Sequence, residues 1–303
     1  MPSLCTVGPV SQDQTSRVLE LAVVAATLLG QWRPLRMRSG RPHKTPARFS
    51  CQSFAEQSYA VRLVQTLLDG SPDGLTILQV GACDGTESND PVHHILSDPR
   101  TRAVLVEPNP VVFERLQGSL RARGGDRLRG AQVAVVPEAA LDDDQSIAFH
   151  VVNKSFAKDH PQAPHWAKYQ LSSVDRAHVL KHAVHLGMPE AKFSEYIEEI
   201  TVPACSPEQL LTLVNLPATD INLLAVDAEG LDVEIVKSFL SLPGFLPEGI
   251  IFEASHADET CLHDILECLH GYGFQTAIDE LEQVDGVLRD VSAWRTEAAV
   301  TQG

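Results

Sequence analysis

Apolar positions along residues 53–295 follow two rhythms that take turns. In "SFAEQSYAVRLVQTLLDG" Ala60, Leu63, Val64 and Leu67 recur at helical spacing, with Gly70 placed to end the helix in a left-handed cap. "LTILQV" (75–80) and "RAVLVE" (102–107) are instead short continuous apolar runs, the pattern of strands buried on both faces. "PNPVVFERLQGSLRAR" returns to the helical rhythm, with Pro110 near its start and Val112, Leu116 and Leu120 on one face. "AQVAVVPEAAL" (131–141) reads as a third strand region and "SIAFHVVN" (146–153) as an extra strand. "SPEQLLTLVNL" opens with Ser206 as N-cap, Pro207 at the first helical position and Gln209 at the third, a capping box with a proline start.

The rhythm continues with "INLLAVD" (221–227) as a fourth core strand and a helix aligning Leu231, Ile235 and Phe239. "GIIFEAS" (249–255) is the fifth strand, followed by a helix with Leu262, Ile265, Leu266 and Leu269 inside and Gly271 as its stop. "FQTAID" and "GVLRDV" then form two short strands joined by a polar turn, a hairpin. Repeated β-α units predict an α/β fold with a doubly wound, mostly parallel sheet closed by a C-terminal antiparallel hairpin. Such sheets bind ligands in the crevice at the carboxyl ends of their strands.

Those ends are acidic. Strand one is followed by "GACDG" (Gly81, Asp84, Gly85), strand two by Glu107, Pro108 and Asn109, strand four by Asp227, Glu229 and Gly230, and strand five by Glu253, Ser255 and His256. No Lys or Arg stands among them, so the turn is a poor phosphate cradle. The GxxxG spacing also lacks the third glycine of a dinucleotide fingerprint. An acid-lined crevice suits a cation or a ligand rich in hydroxyls and amines. Glu107 is placed to accept two hydrogen bonds from ribose hydroxyls, which points to a nucleoside.

Charge and cysteines narrow the class. The 303 residues carry a net charge of −16, which argues against a nucleic-acid partner. Residues 1–50 hold seven of the 24 Lys/Arg and two of the 40 Asp/Glu, a local charge of +5 that leaves −21 for the remainder. This division predicts a basic extension (1–50) before the domain (51–295) and a short tail (296–303). The apolar run "LAVVAATLLG" is too short to span a bilayer, and its positive charges follow it rather than precede it, unlike a secretory signal. The extension is compatible with an organelle transit peptide, or with a plain unstructured segment. Six cysteines without CxxC spacing read as reduced thiols of a cytoplasmic protein. Mean hydropathy is −0.06 and 44% of residues are hydrophobic, a globular composition.

"LQVGACDGTESNDP", "VEPNP", "INLLAVDAEGLDVEIVKSF" and "IIFE", in this order, resemble the FkbM-like family of S-adenosylmethionine-dependent methyltransferases over roughly residues 55–290. "VDAEGLDVEI" carries most of the specificity, through an Asp-x-Glu-Gly signature after the fourth strand. The resemblance implies a class I methyltransferase fold of seven strands, with S-adenosyl-L-methionine as cofactor. It places Gly81, Asp84 and Gly85 in the first cofactor motif, Glu107 on the ribose with Asn109 beside it, and Ala139, Ala140 and Leu141 along the adenine. Asp227 and Glu229 match the signature acids at the reaction end, where Asp227 is also expected to contact the cofactor. Where the family often has Asn, this chain has Cys83.

The reaction implied is O-methylation of a small-molecule or sugar hydroxyl. In-line transfer needs donor and acceptor held in line and a base for the hydroxyl proton. Asp227 and Glu229 are the first candidates for catalytic residues, then His256. Asp227, Glu229, Glu253 and His256 are also donors able to hold a divalent metal against an acceptor oxygen. An NAD(P)-dependent oxidoreductase and a non-catalytic nucleoside-binding module are the alternatives. A His-rich insert (about 150–205) holds His150, His160, His165, His178, His182 and His185, six of the twelve histidines, and is expected to cap the acceptor pocket. The last three share one face of a helix, compatible with a metal site or with a substrate-facing or solvent-facing surface.

Overall fold

The structure, a computed structural model, describes residues 58–86, 90–141, 144–283 and 286–295. The basic extension, the first residues of the first expected helix, residues 87–89 of the opening turn, residues 142–143, residues 284–285 in the turn of the expected hairpin, and the tail lie outside the described residues.

Seven strands form the main sheet: β1 (Leu75–Val80), β2 (Thr101–Val106), β3 (Leu128–Ala131), β8 (Leu223–Val226), β9 (Gly249–Glu253), β10 (Phe274–Gln283) and β11 (Gly286–Arg295). Their spatial order is β10-β11-β9-β8-β1-β2-β3. β3, β2, β1, β8 and β9 run parallel, and β11 and β10 are antiparallel.

The central strands bury both faces, which explains their unbroken apolar runs. Leu78, Val80, Val104, Val106, Leu224 and Val226 point to one core with helices α7 (Pro207–Leu213), α8 (Asp232–Leu240) and α9 (Glu259–Gly271). Leu75, Ile77, Ala103, Leu105, Leu223 and Ala225 point to the other, against α1 (Tyr59–Gly70) and α2 (Pro110–Arg123). Each fully buried Leu, Ile or Val contributes about 1.5–3 kcal/mol.

The local signals behave as their chemistry requires. The Ser206–Gln209 capping box forms, and Asn109 caps α2 ahead of Pro110. Gly70 departs from expectation. It stays inside α1, Ser71 takes the cap, and the left-handed residue is Gly74 at φ +115.

The third strand is also placed differently from the sequence reading. The main-sheet strand is the polar "LRGA" of β3, while the more apolar segment after it becomes β4 (Ala134–Val135) and a single turn over Glu138–Ala140. β3 lies at the sheet edge, where Leu128 and Ala131 suffice to anchor it and Arg129 and Gly130 stay exposed. β4 instead joins a second, four-stranded sheet ordered β4-β7-β5-β6, with β5 (Ser146–Val152), β6 (Ser172–Ser173) and β7 (Ile197–Cys205). β7 has no counterpart in the sequence reading. Its early residues are half or fully exposed, so it lacks an apolar run.

Between β5 and β7 the chain folds α3 (Lys154–Asp159), α4 (His165–Tyr169), α5 (Arg176–Lys181) and α6 (Glu190–Phe193). This insert has its own core of Phe156, Ala167, Leu171, Val179, Ala183, Phe193 and Tyr196.

Candidate active site

β1, β2, β8 and β9 end level with one another: Val80 pairs with Val106 and Val226, and Val226 with Phe252. The loops that follow therefore open into one cavity of about 810 Å³. Gly81, at φ +79, brings the β1 loop so close to β8 that a Cβ there would collide with the Asp227 carbonyl oxygen. Cys83 follows at φ 47.

Glu107 sits at the end of β2, 5% exposed. Its Oε2 accepts from the Cys83 N–H at 3.1 Å and its Oε1 from the Asn109 N–H at 2.8 Å. Burial outweighs these two hydrogen bonds and pushes its pKa up to about 7. A carboxylate has about four acceptor sites, so two remain for hydroxyls of a ligand. Gly81, Ala82, Cys83 and Glu107 line the cavity, with Val133, Ala134 and Val135 as an apolar wall.

Other candidates sit around this pocket rather than in it. Asn109 caps α2 and holds Glu107 through its backbone. Asp84 turns away: it accepts from the N–H and hydroxyl of Thr86 and faces His165 at 3.6 Å and Arg115 at 4.0 Å. Gly85, at φ +67, leaves no room for a Cβ, which would meet Leu116 on α2. Ala140 is exposed in the turn after β4 and does not line the cavity. Asp90, in the half of the opening turn whose role was open, lines the cavity and accepts from the Gln79 side chain at 2.8 Å. Burial raises its pKa.

The far end holds Asp227, Glu229, Glu253 and His256. Asp227 is exposed toward the cavity, yet the protein packed around its carboxyl displaces water from it, and this, followed by the charges of Glu253 and Glu229, raises its pKa well above the usual range. Burial, then Glu229 and Asp232, pushes Glu253 to about 8. Glu229 adopts φ 52, a conformation costing about 1–3 kcal/mol for a residue with a side chain. Three contacts hold it there. Asp232 Oδ1 and Oδ2 accept from the Ala228 and Gly230 N–H groups at 2.7 and 3.0 Å, and Ser173 donates to the Glu229 carbonyl at 2.8 Å. Asp232 is the residue missed by sequence reasoning whose signal was present, an acid in the first turn of a helix.

The insert meets this loop directly. His178 Nε2 donates to Glu229 Oε2 at 2.7 Å, and the His178 and His256 rings lie 4.2 Å apart. Lys181 Nζ donates to His256 Nδ1 at 2.7 Å. His256 therefore uses its acceptor nitrogen on Lys181, and burial with neighbouring His178 and Lys181 holds its pKa near 4. Burial likewise holds His182 near 4. α5 ends at Lys181, so the three histidines do not share a helix face. His182 caps the helix and His185 lies in the following turn, yet the rings still form a row, 5.6 Å from His178 to His182 and 5.5 Å on to His185. Trp166, His182 and His185 line the cavity. Of the expected metal donors, Glu229, Glu253 and His256 come together; Asp227 falls outside that group, and His178 and His182 form a second group with Glu229.

The strand order, the antiparallel closing hairpin and the carboxylate ending β2 beside the glycine turn define a class I methyltransferase, the S-adenosylmethionine-dependent class. The chain belongs to the FkbM family of methyltransferases, whose "Methyltransferase FkbM domain" matches residues 79–276. The nicotinamide-dependent alternative falls with that assignment.

No curated protein matches the chain significantly. Among solved structures, an O-methyltransferase from Bacillus cereus in complex with SAH is similar at 13% identity, with 94% of this chain and 92% of that one covered and a TM-score of 0.40. A precorrin-6y C5,15-methyltransferase from Geobacter metallireducens is similar at 12% identity, with 78% and 87% covered and a TM-score of 0.38. Fibrillarin from Aeropyrum pernix with S-adenosyl-L-methionine is similar at 12% identity, with 77% and 75% covered and a TM-score of 0.34. The topology and the family match, not these likenesses, carry the assignment. Among the described residues no helix is long and apolar enough to cross a membrane.

Proposed function

We propose that the protein transfers a methyl group from S-adenosylmethionine to a hydroxyl oxygen of a small molecule or glycan. The observation that carries this reading is a single cavity with a nucleoside-type acid, Glu107, at one end and Asp227 and Glu229 at the other. Bound there, S-adenosylmethionine supplies a methyl group on a positively charged sulfur, whose bond to carbon breaks as the oxygen–carbon bond forms.

Glu107 fits the ribose, with acceptor sites left after its two backbone bonds. Val133, Ala134 and Val135 offer the apolar wall that an adenine ring needs. The surrounding carboxylates favour a cationic ligand. Glu229, held in place from three directions, is the base for the hydroxyl proton, and Asp227 orients the acceptor by hydrogen bonding. His256 is the weaker base, because its acceptor nitrogen faces Lys181. Trp166 gives the acceptor an aromatic face, the kind of surface on which sugar and aromatic rings stack. Lys181 is the only Lys or Arg among the described residues lining the cavity, which supports a neutral acceptor over a phosphorylated one.

Calorimetric titration with S-adenosylmethionine, S-adenosylhomocysteine and NAD tests the first half. The first two are expected to bind and to stop binding in Glu107→Ala; binding of NAD alone overturns the reading. S-adenosylhomocysteine release over a panel of hydroxyl compounds and glycans tests the second half. Asp227→Ala and Glu229→Ala are each expected to lower turnover by about 100-fold or more. Full rates in both would remove these residues from the mechanism.

A further inference from the structure

Two sets of metal-ligating side chains meet where the insert packs on the signature loop. His178, His182 and Glu229 each offer a donor atom within 4.8 Å of the others, and so do Glu229, Glu253 and His256. The donors come from three distant parts of the chain, the insert, the loop after β8 and the loop after β9, so sequence proximity does not explain their convergence.

The two sets are not equivalent. Lys181 donates to His256 Nδ1 and so occupies one of the two ring nitrogens that residue could offer the second set. In the first set the His178–Glu229 contact at 2.7 Å has a shared proton where two ligands of one ion would stand. His182 adds a ring nitrogen to that set, and its Nε2 is buried with no hydrogen-bond partner among the described residues. A buried imidazole nitrogen left unpaired is unfavourable unless something binds it. Glu229 is also held in a left-handed conformation by Asp232 and Ser173, so that its carboxylate meets His178.

We propose that His178, His182 and Glu229 form a binding site for a divalent transition-metal ion, with Glu253 and His256 beside it. Two imidazoles and one carboxylate suit Zn²⁺, Mn²⁺, Fe²⁺ or Co²⁺ better than Mg²⁺ or Ca²⁺, which favour all-oxygen sets. His182 and Glu229 also line the cavity, so the remaining coordination positions face the acceptor end. There the ion would hold the acceptor's hydroxyl oxygen and ease loss of its proton, which would pass to Glu253 on the same cavity, since a metal-bound Glu229 would serve as ligand rather than base. That use rests on the methyltransferase reading; the site itself does not.

The full chain, stripped with a chelator, is titrated with Co²⁺ and followed by visible absorption and calorimetry. One Co²⁺ per chain is expected, with ligand-field bands, and little response to Mg²⁺. His182→Ala, His178→Ala and Glu229→Gln should each weaken Co²⁺ binding by about 100-fold or more, since loss of even an outer-shell partner costs 10–100-fold. His270→Ala, on α9, should leave it unchanged. S-adenosylhomocysteine binding, measured in parallel, reports folding; if buried His178→Ala loses it, the other two variants decide. Absence of stoichiometric Co²⁺ binding by the wild type, or unchanged affinity in His182→Ala and Glu229→Gln, overturns the site. Co²⁺ binding without S-adenosylhomocysteine binding overturns the proposed function and leaves the site standing.

Discussion

His178 and Glu229 lie 51 residues apart in the chain, and their side chains meet at 2.7 Å. One belongs to the insert and the other to the loop that carries the family's signature acids. The insert is thus fastened to the chemistry rather than laid over it. Ser173, from the same insert, holds the backbone of Glu229.

That fastening predicts the behaviour of His178→Ala. A hydrogen bond to a charged group contributes about 1.5–3 kcal/mol. Amide exchange over residues 172–182 should speed up by about 10-fold or more, while exchange in β1, β2 and β8 stays as in the wild type. Uniform acceleration across the whole sheet would mean that the contact stabilises the fold globally instead.

Asp232→Ala removes the acceptor for two N–H groups of the signature loop. Both donors are only part-buried, so water can replace some of the lost bonding, and a loss of about 1–3 kcal/mol in unfolding free energy is expected from urea denaturation. Asp232→Asn keeps one acceptor oxygen and should lose less. Equal midpoints for the wild type and Asp232→Ala would contradict the clamp.

Glu107 should make ligand binding depend on pH. Its pKa in the ligand-free protein is about 7. The ionised carboxylate is the better acceptor for ribose hydroxyls, so affinity for S-adenosylhomocysteine should rise as pH climbs through 7. Calorimetry from pH 6 to 8 reads this directly. In Glu107→Gln the slope should vanish and the affinity be lower at pH 8.

The ligand-free protein should show the opposite trend in stability. Folding raises Glu107 from 4.5 to about 7 and Asp232 from 3.8 to about 6. A carboxyl raised by folding favours the folded state below its unfolded pKa and loses that advantage as pH rises through its folded pKa. The melting temperature should therefore fall between pH 5 and pH 8. The double variant Glu107→Gln/Asp232→Asn should show a shallower fall, and the same slope in both proteins would refute the assignment.

Gly81→Ala tests the close approach of the loops after β1 and β8. The added methyl meets the Asp227 carbonyl oxygen at a backbone angle of φ +79. Neither the sheet nor the turn can yield easily, so a loss of about 3 kcal/mol or more is expected in thermal or urea melts. Gly118→Ala, with nothing within 4 Å of the new methyl, is the matched control and should not destabilise.

Much of the sheet was legible because its central strands are buried on both faces. Leu75–Val80 and Leu223–Val226 read as unbroken apolar runs for that reason. The edge strand β3 was not legible: an edge demands less burial, and the stronger apolar signal of the following segment belonged to the second sheet. β7 was invisible because its first residues are largely exposed. In the site, Glu107, Gly81, Asp227 and Glu229 could be named from their places at strand ends. Asp84, Gly85 and Ala140 occupy similar places in the sequence, yet their side chains or backbone turn toward α2, the insert or solvent.

By itself the sequence determined the alternation of strands and helices, the closing hairpin, and the acids at the strand ends. These follow from local periodicity and from the rule that parallel strands present their carboxyl ends together. Only the tertiary structure decided that His178 and His182 face Glu229, that Asp232 clamps the signature loop, and that Lys181 occupies His256. The reason is physical: these pairings join segments whose separation along the chain carries no periodic signal. They arise only when the insert, folded on its own core, is packed against the loops after β8 and β9.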